Sequence, residues 1–145
     1  AMAHSADIII NLPGGRRVDA EVGRHLVRTD QPAAHGGDDS APSPFDLFLA
    51  SIGACAGVFV QGFCSKRGIP ADGIRIVEQP SFGPDGVLSS IALRLELPPE
   101  FPEKYRDAVV KVVEQCSVKQ AIAAQPQFSV TTALPSHAAG GDGGS

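Results

Sequence analysis

Residues 42–67 have the sequence PSPFDLFLASIGACAGVFVQGFCSKR, and the remainder of the chain is organised around them. The opening is typical of a helix start, because Ser43 can cap, Pro44 suits the first helical position and the Asp46 carboxylate can complete a capping box. No charged residue occurs over 47–60. A helix that is apolar on all sides is buried on all sides, and this run is shorter than the roughly 20 residues of a bilayer span. The stretch predicts one buried core helix.

Cys55 stands near the middle of this predicted helix, among side chains of very small volume. Its neighbours Gly53 and Gly57 lower the helix propensity, which indicates close approach by another backbone or by a substrate. Cys55 is therefore either a packed core thiol or a reactive thiol at the floor of a narrow pocket. Composition alone favours the packed thiol, since free cysteine is among the most buried residue types.

The composition is that of a soluble globular protein. Of the 145 residues, 43% are apolar and 19% are charged, which is enough for a sizeable core. A net charge of −4 without a Lys/Arg cluster argues against nucleic acid and against a membrane surface as partners. The cysteines Cys55, Cys64 and Cys116 are an odd number without a CxxC pair, which favours a reducing, cytoplasmic location.

Alternating and β-branched patterns predict strands on both sides of the core helix. A helix is predicted from Pro102, with an apolar stripe that ends at Cys116, and a second begins at Ser117 in a capping box with Gln120. The order of strands, helix, strands, helices and strand predicts the α+β class in one domain over 6–134. The predicted strands are 7–12, 16–22, 25–30, 74–78, 91–97 and 128–134; residues 1–5 are predicted to be a vector remnant and 135–145 a disordered tail.

The other candidate groups are weak when each is taken alone. Cys116 abuts a predicted helix N-terminus, which favours its thiolate, but it is equally the last apolar residue of its stripe. Cys64 lies about 180° round the helix from Cys55 at roughly 100° per residue, so we expect a core thiol there. His25 and His35 lack metal-ligand spacing and no cofactor-binding motif occurs, so we expect neither a metal nor a cofactor.

Three segments together resemble a known family. The sequence GGD at 36–38 is followed by PSPFDLFLASIGAC at 42–55, and CSV occurs at 116–118. These segments resemble the signature of the OsmC/Ohr family, which comprises the osmotically inducible protein C and organic hydroperoxide resistance proteins. That family has a Gly-Gly loop, then Pro-x-Pro-x-acidic-Leu-Leu-Leu-Ala-x-x-Gly-x-Cys, and later a Cys-x-Val.

The resemblance implies an OsmC-like α+β fold, in which a curved antiparallel sheet surrounds the buried central helix of an intertwined homodimer. It also implies thiol-dependent reduction of organic hydroperoxides. Cys55 would be the peroxidatic thiolate, and its sulfenic acid would condense with Cys116, the resolving thiol. A dithiol such as a dihydrolipoyl group would then reduce the disulfide.

The resemblance also implies roles for neighbours of the thiolate. In the family an arginine from the N-terminal strands assists the thiolate; Arg17 is the best positional match, and Arg16 and Arg28 are weaker ones. The alternative for Arg17 is the solvated face of its strand. The best-studied peroxidases of the family have a glutamate where this chain has Phe45, and here the acid follows at Asp46, as in other branches.

Three aromatic residues, Phe45, Phe48 and Phe59, predict an apolar approach to Cys55 that would bind bulky organic peroxides. A hypothesis from another class is a non-catalytic module whose apolar pocket binds a small hydrophobic ligand. In that case Cys55 and Cys116 would be retained for packing alone. A disulfide that forms on addition of peroxide distinguishes the two hypotheses.

Overall fold

The computed structural model describes residues 7–134, which form an α+β domain as expected. The predictions for residues 1–5 and 135–145 lie outside the described residues. Short 3-10 turns cover Ala33–His35 and Glu103–Tyr105. The strands are β1 (Ile9–Gly14), β2 (Arg17–Val22), β3 (His25–Thr29), β4 (Arg75–Phe82) and β5 (Leu88–Glu96), and the α-helices are α1 (Pro44–Lys66), α2 (Arg106–Val113) and α3 (Ser117–Ala123).

The strands are divided between two antiparallel sheets instead of one curved sheet. The N-terminal sheet has the order β1–β2–β3, with Ala20 opposite both Ile10 and Val27. The second sheet pairs β4 with β5, and Ile76 lies opposite Leu95. Among the described residues, no strand joins the edges of the two sheets.

The strand predicted over 128–134 is wrong. This segment has no regular structure, and Phe128, Val130 and Leu134 are 91%, 93% and 94% exposed. Its alternating apolar residues satisfy the strand pattern, but a strand also needs a partner backbone to pair its N–H and C=O groups. The described part of the chain offers this segment no such partner.

α1 begins and ends where the sequence predicts. Ser43 is its N-cap, and the Ser43 Oγ accepts a hydrogen bond of 3.2 Å from the Asp46 N–H. Pro44 takes the first helical position, where a missing N–H costs nothing. At the other end the Arg67 N–H donates to the Cys64 carbonyl at 3.1 Å, and Gly68 ends the helix with a positive φ of 65°.

The core lies between α1, α2 and the second sheet. α1 contributes Ala56, Val60 and Phe63, which pack against Val109 and Val113 of α2. The opposite side of α1 is exposed, as Val58 shows at 64%. The prediction that α1 is buried on all sides is therefore wrong for a single chain, because the described chain contains too few elements to surround it.

α1 also has the length and apolar composition of a helix that could cross a membrane, at 23 residues. At both ends α1 extends beyond the uncharged run over 47–60. The core helix of a soluble protein has the same two properties, and one face of α1 packs on α2 and β4. Length and composition therefore do not place this helix in a membrane.

The region after β5 differs in detail from its prediction. A 3-10 turn precedes α2, and α2 stops at Val113, so Cys116 is not the last residue of a helical stripe. Cys116 is instead the N-cap of α3, and no side chain caps that helix. The predicted capping box of Ser117 and Gln120 is therefore wrong by one residue, since Ser117 already lies inside α3.

Candidate active site

Cys55 and Cys116 lie next to each other where α1 packs on α3. Cys55 is half-buried in the middle of α1, and Cys116 at the start of α3 is only 2% exposed. The Cys116 thiol and the backbone N–H groups of Val118 and Ser117 lie near the Cys55 sulfur and favour its thiolate. The fold thus brings together the two cysteines that the family resemblance had paired.

The two thiols are electrostatically unlike. Burial acts to raise the pKa of the Cys55 thiol, but the donors Cys116, Val118 and Ser117 outweigh burial, so this pKa lies below its ordinary value. Burial raises the pKa of the Cys116 thiol, and its hydrogen bond to Cys55 raises it further. The arrangement favours a thiolate at Cys55 facing a protonated Cys116, which suits a nucleophile and the thiol that later attacks it.

Cys64 is part of the hydrophobic core, as predicted. It is 1% exposed and packs with Phe101 and Val109. Burial raises the pKa of the Cys64 thiol, and the nearby charge of Arg67 only partly offsets this. The Cys64 thiol is therefore kept protonated and inert.

An apolar groove of about 580 Å³ lies between α1 and α3, the two helices that carry the cysteines, and its lining includes Phe48 and Val118. Phe48, about two helical turns before Cys55 on the same face of α1, forms one wall of this groove. Val118 belongs both to the lining of the groove and to the groups that lower the pKa of Cys55. The sequence reasoning missed the other wall, although an i, i+3, i+4 spacing in α3 was a usable signal. That wall comprises Val118, Ala121, Ile122, Gln125, Pro126 and Phe128.

The other two phenylalanines that we expected at the substrate site lie elsewhere. The Phe45 ring packs on Phe48, with centroids 5.6 Å apart, and on Phe82 at 6.2 Å, so it supports the groove without lining it. Phe59 lines a separate cavity of about 360 Å³ with Val112. The difference arises because α2, and not α3, covers the part of α1 around Phe59.

The candidate arginines lie on the N-terminal sheet. Arg17 and Arg28 line a polar cleft of about 320 Å³ together with Ser40. The Arg16 guanidinium packs on Gly36, where an added Cβ would lie 3.4 Å from Nε. The described chain shows no extensive contact between the N-terminal sheet and α1. One chain by itself therefore does not bring Arg17 to Cys55.

Asp46 is likewise remote from the thiols. It lies in the first turn of α1, where its N–H is bonded to Ser43. At 1.5 Å per residue, Asp46 is roughly 13 Å from Cys55 along the helix axis. α1 by itself therefore does not bring the Asp46 carboxylate to the Cys55 sulfur.

The fold and the two unlike thiols define an α+β protein with a dithiol site. Residues 37–131 match the family model described as OsmC-like protein, and the chain belongs to this family. None of the curated proteins compared with the chain matches it significantly.

Solved structures show the same fold. A Psychrobacter arcticus protein provisionally assigned to the osmotic stress and detoxification response has a TM-score of 0.70 at 18% identity, over 83% of this chain and 90% of that one. An OsmC-like protein from Mycoplasma pneumoniae has a TM-score of 0.67 at 17% identity, over 86% and 91%. An organic hydroperoxide resistance protein from Legionella pneumophila has a TM-score of 0.57 at 21% identity, over 83% and 91%. At these identities the likeness concerns the fold alone.

Proposed function

We propose that this protein reduces organic hydroperoxides, with Cys55 as the peroxidatic thiolate and Cys116 as the resolving thiol. The observation that carries the proposal is the unlike pair of thiols, in which the donors Cys116, Ser117 and Val118 lower the pKa of Cys55. Membership of the OsmC-like family supports the reaction class, since a structural neighbour is named as an organic hydroperoxide resistance protein.

The reaction divides into two steps at these sulfurs. The Cys55 thiolate attacks the distal oxygen of the hydroperoxide, the O–O bond breaks, and the alkoxide leaves and takes up a proton to become the alcohol. The sulfur is thereby oxidised to a sulfenic acid. The Cys116 sulfur then attacks the Cys55 sulfur and expels the hydroxyl group, which leaves as water with the Cys116 proton. An external dithiol reduces the resulting disulfide and completes the cycle.

The apolar groove supports an organic substrate over hydrogen peroxide. Phe48, Ile122 and Phe128 line this groove with hydrocarbon, and Val118, a neighbour of Cys55, lines it as well. Burial of alkyl groups is favourable by about 0.8 kcal/mol per methylene, and hydrogen peroxide has none to bury. Cumene hydroperoxide and long-chain alkyl hydroperoxides are therefore expected to react faster than hydrogen peroxide.

We further propose that the protein works as a cytoplasmic homodimer in which Arg17 of a second copy approaches Cys55. Isoleucines on β1 are about half exposed, with Ile9 at 48% and Ile10 at 53%, and the outer face of α1 is also apolar and exposed. Such surface favours association with another chain. A guanidinium beside Cys55 would stabilise the thiolate and donate to the peroxide.

The groove also suits a small hydrophobic ligand, which keeps the non-catalytic binding module as the second candidate function. One experiment decides between the two. Reduced protein is treated with one equivalent of cumene hydroperoxide, and its non-reduced peptides are analysed by mass spectrometry. We expect a Cys55–Cys116 disulfide in the parent, no peroxide consumption by Cys55→Ser, and sulfinic acid at Cys55 in Cys116→Ser. If the parent forms neither the disulfide nor an oxidised Cys55, the binding module replaces the peroxidase.

A further inference from the structure

Asp30 is a buried carboxylate outside the thiol site, placed directly after β3 and only 1% exposed. Its Oδ1 accepts a hydrogen bond of 2.7 Å from the Gln31 N–H. Its Oδ2 accepts bonds from the Ser40 hydroxyl at 2.6 Å, the Ser40 N–H at 3.1 Å and the Asp38 N–H at 3.3 Å. The Ser40 hydroxyl, followed by these N–H groups, lowers the pKa of Asp30 to about 2, so the carboxylate is charged at all physiological pH values.

The chain from Gln31 to Pro42, here called the 31–42 loop, closes around this carboxylate. The Asp30 N–H donates to the Pro42 carbonyl at 3.2 Å, which joins the two ends of the loop. A Cβ at Gly37 would collide with the carbonyl oxygen of Gln31, so only glycine fits there. The loop is therefore a ring of hydrogen bonds with one charged acceptor at its centre.

The 31–42 loop connects the N-terminal sheet to α1: through Asp30 it follows β3 directly, and its last residues contact the sheet and precede the helix. Ser40 and Ala41 form a wall of the cleft that contains Arg17 and Arg28. Pro42 leads directly into Ser43, the N-cap of α1. Because the N-terminal sheet and α1 make no extensive contact in the described chain, the conformation of this loop sets how the sheet is oriented relative to the helix.

We infer that Asp30 is a positioning residue that holds the 31–42 loop rigid. In the assembled protein, the rigid loop fixes the orientation of the N-terminal sheet, which carries Arg17, relative to α1 and α3, which carry Cys55 and Cys116. The inference rests on the proposed function, in which Arg17 of one copy serves Cys55 of the other. A flexible loop would let the sheet sample many orientations, and only a fraction would place Arg17 at the thiolate. Small errors of placement are costly in such sites, where about 1 Å can reduce the rate 100-fold.

The chemistry of the loop explains why an aspartate is needed. Every partner of the Asp30 side chain is a donor, and only an ionised carboxylate offers acceptors on both oxygens. In Asp30→Asn one oxygen becomes an NH₂ group that faces another donor. Asparagine has the same shape, so the substitution removes the acceptor without changing the packing volume.

The test compares Asp30→Asn with Asp39→Asn, a matched control that removes the same charge from the same loop. Asp39 has a positive φ of 52°, which asparagine adopts equally well, and its side chain takes no part in the network around Asp30. The readouts are the rates of alkylation of Cys55 by iodoacetamide and of its oxidation by cumene hydroperoxide. Both are measured at a temperature where circular dichroism shows the variants fully folded.

We expect Asp30→Asn to slow both reactions of Cys55 by roughly tenfold to 100-fold, and Asp39→Asn to leave them unchanged. Gly37→Ala breaks the same loop without changing any charge and should reproduce the loss. In a double-mutant cycle, Arg17→Ala should add little to Asp30→Asn, because both remove the same arginine from the thiolate.

Parental rates in folded Asp30→Asn would overturn the inference, and so would independent, multiplicative effects of Asp30→Asn and Arg17→Ala. The proposed function is decided separately, by whether the parent protein consumes peroxide. If it does not, the alkylation rates of the four proteins in the cycle still decide the role of Asp30.

Discussion

The half of the molecule built from α1, α2 and the β4–β5 sheet differs from the half built from β1–β3 in what stabilises it. In the first half, Val60, Phe63 and Val109 are at most 6% exposed and pack in one hydrophobic cluster. In the N-terminal sheet and the loop after it, the buried residues of the described chain are Thr29 and Asp30, both polar. Hydrophobic burial stabilises the first half, whereas backbone pairing and hydrogen bonds to one carboxylate organise the second.

The difference indicates which half depends on a partner. A small sheet without a covered apolar face is only marginally stable in water, and the N-terminal sheet leaves its isoleucines exposed. The core half already buries a hydrophobic cluster within one chain, although the outer face of α1 stays exposed. If the protein is the proposed homodimer, we therefore expect the N-terminal half, which carries Arg17, to depend most on association.

The largest expected effect is on the core half. Phe63→Ala should lower the free energy of unfolding by about 3–5 kcal/mol, because it opens a cavity in the cluster and also removes the ring that lies 3.6 Å from the Arg67 guanidinium. Urea unfolding monitored by circular dichroism measures this. Phe82→Ala is the matched control, since Phe82 is 50% exposed and should cost clearly less. Equal losses would contradict the assignment of the core to α1 and α2.

The next effect concerns association through the N-terminal sheet. The parent should have the mass of a dimer in light scattering at micromolar concentration. Ile10→Ser should weaken the dimer at least about tenfold, because an apolar side chain buried on association is worth about 1.5–3 kcal/mol. Asn11→Ser, at the adjacent position on the other face of β1, is the control. A monomeric parent would show that the N-terminal half needs no partner chain.

A smaller effect should appear in the acid stability of the 31–42 loop. The pKa of Asp30 is lowered from 3.8 to about 2, chiefly by the Ser40 hydroxyl, so the charged form is favoured by folding. The stabilisation is present above about pH 4 and is lost as the pH falls towards 2. Thermal unfolding between pH 2 and 6 should show this loss in the parent and in Asp39→Asn, but a weaker one in Asp30→Asn. The same acid response in all three proteins would contradict stabilisation of the fold by the ionised Asp30 carboxylate.

The smallest expected effect is that of Cys64→Ser on peroxide turnover. Cys64 lies in the core, away from the Cys55 and Cys116 pair, so turnover should stay within a few-fold of the parent. Steady-state peroxide consumption with a dithiol reductant measures this. Loss of turnover in a folded Cys64→Ser protein would show that Cys64, and not Cys116, resolves the sulfenic acid.

Several features of the protein were determined by its sequence alone. The start of α1 follows from Ser43 and Pro44, and β5 from its alternating apolar residues, because capping and strand alternation depend only on near neighbours in the chain. The motifs at 36–38, 42–55 and 116–118 were sufficient to recognise the family that the comparison with the family model then confirmed. They also marked Cys55 and Cys116 as a candidate pair.

Other features were decided only by the tertiary structure. The alternating residues over 128–134 form no strand, because strand formation requires a partner edge that a local pattern cannot specify. Nor did any local signal reveal that Val118 would face the Cys55 sulfur, or that Asp30 would become the buried centre of a loop. The first joins two helices far apart in the chain, and the second depends on how a loop closes on itself. The energies of both depend on burial and geometry that exist only in the folded protein.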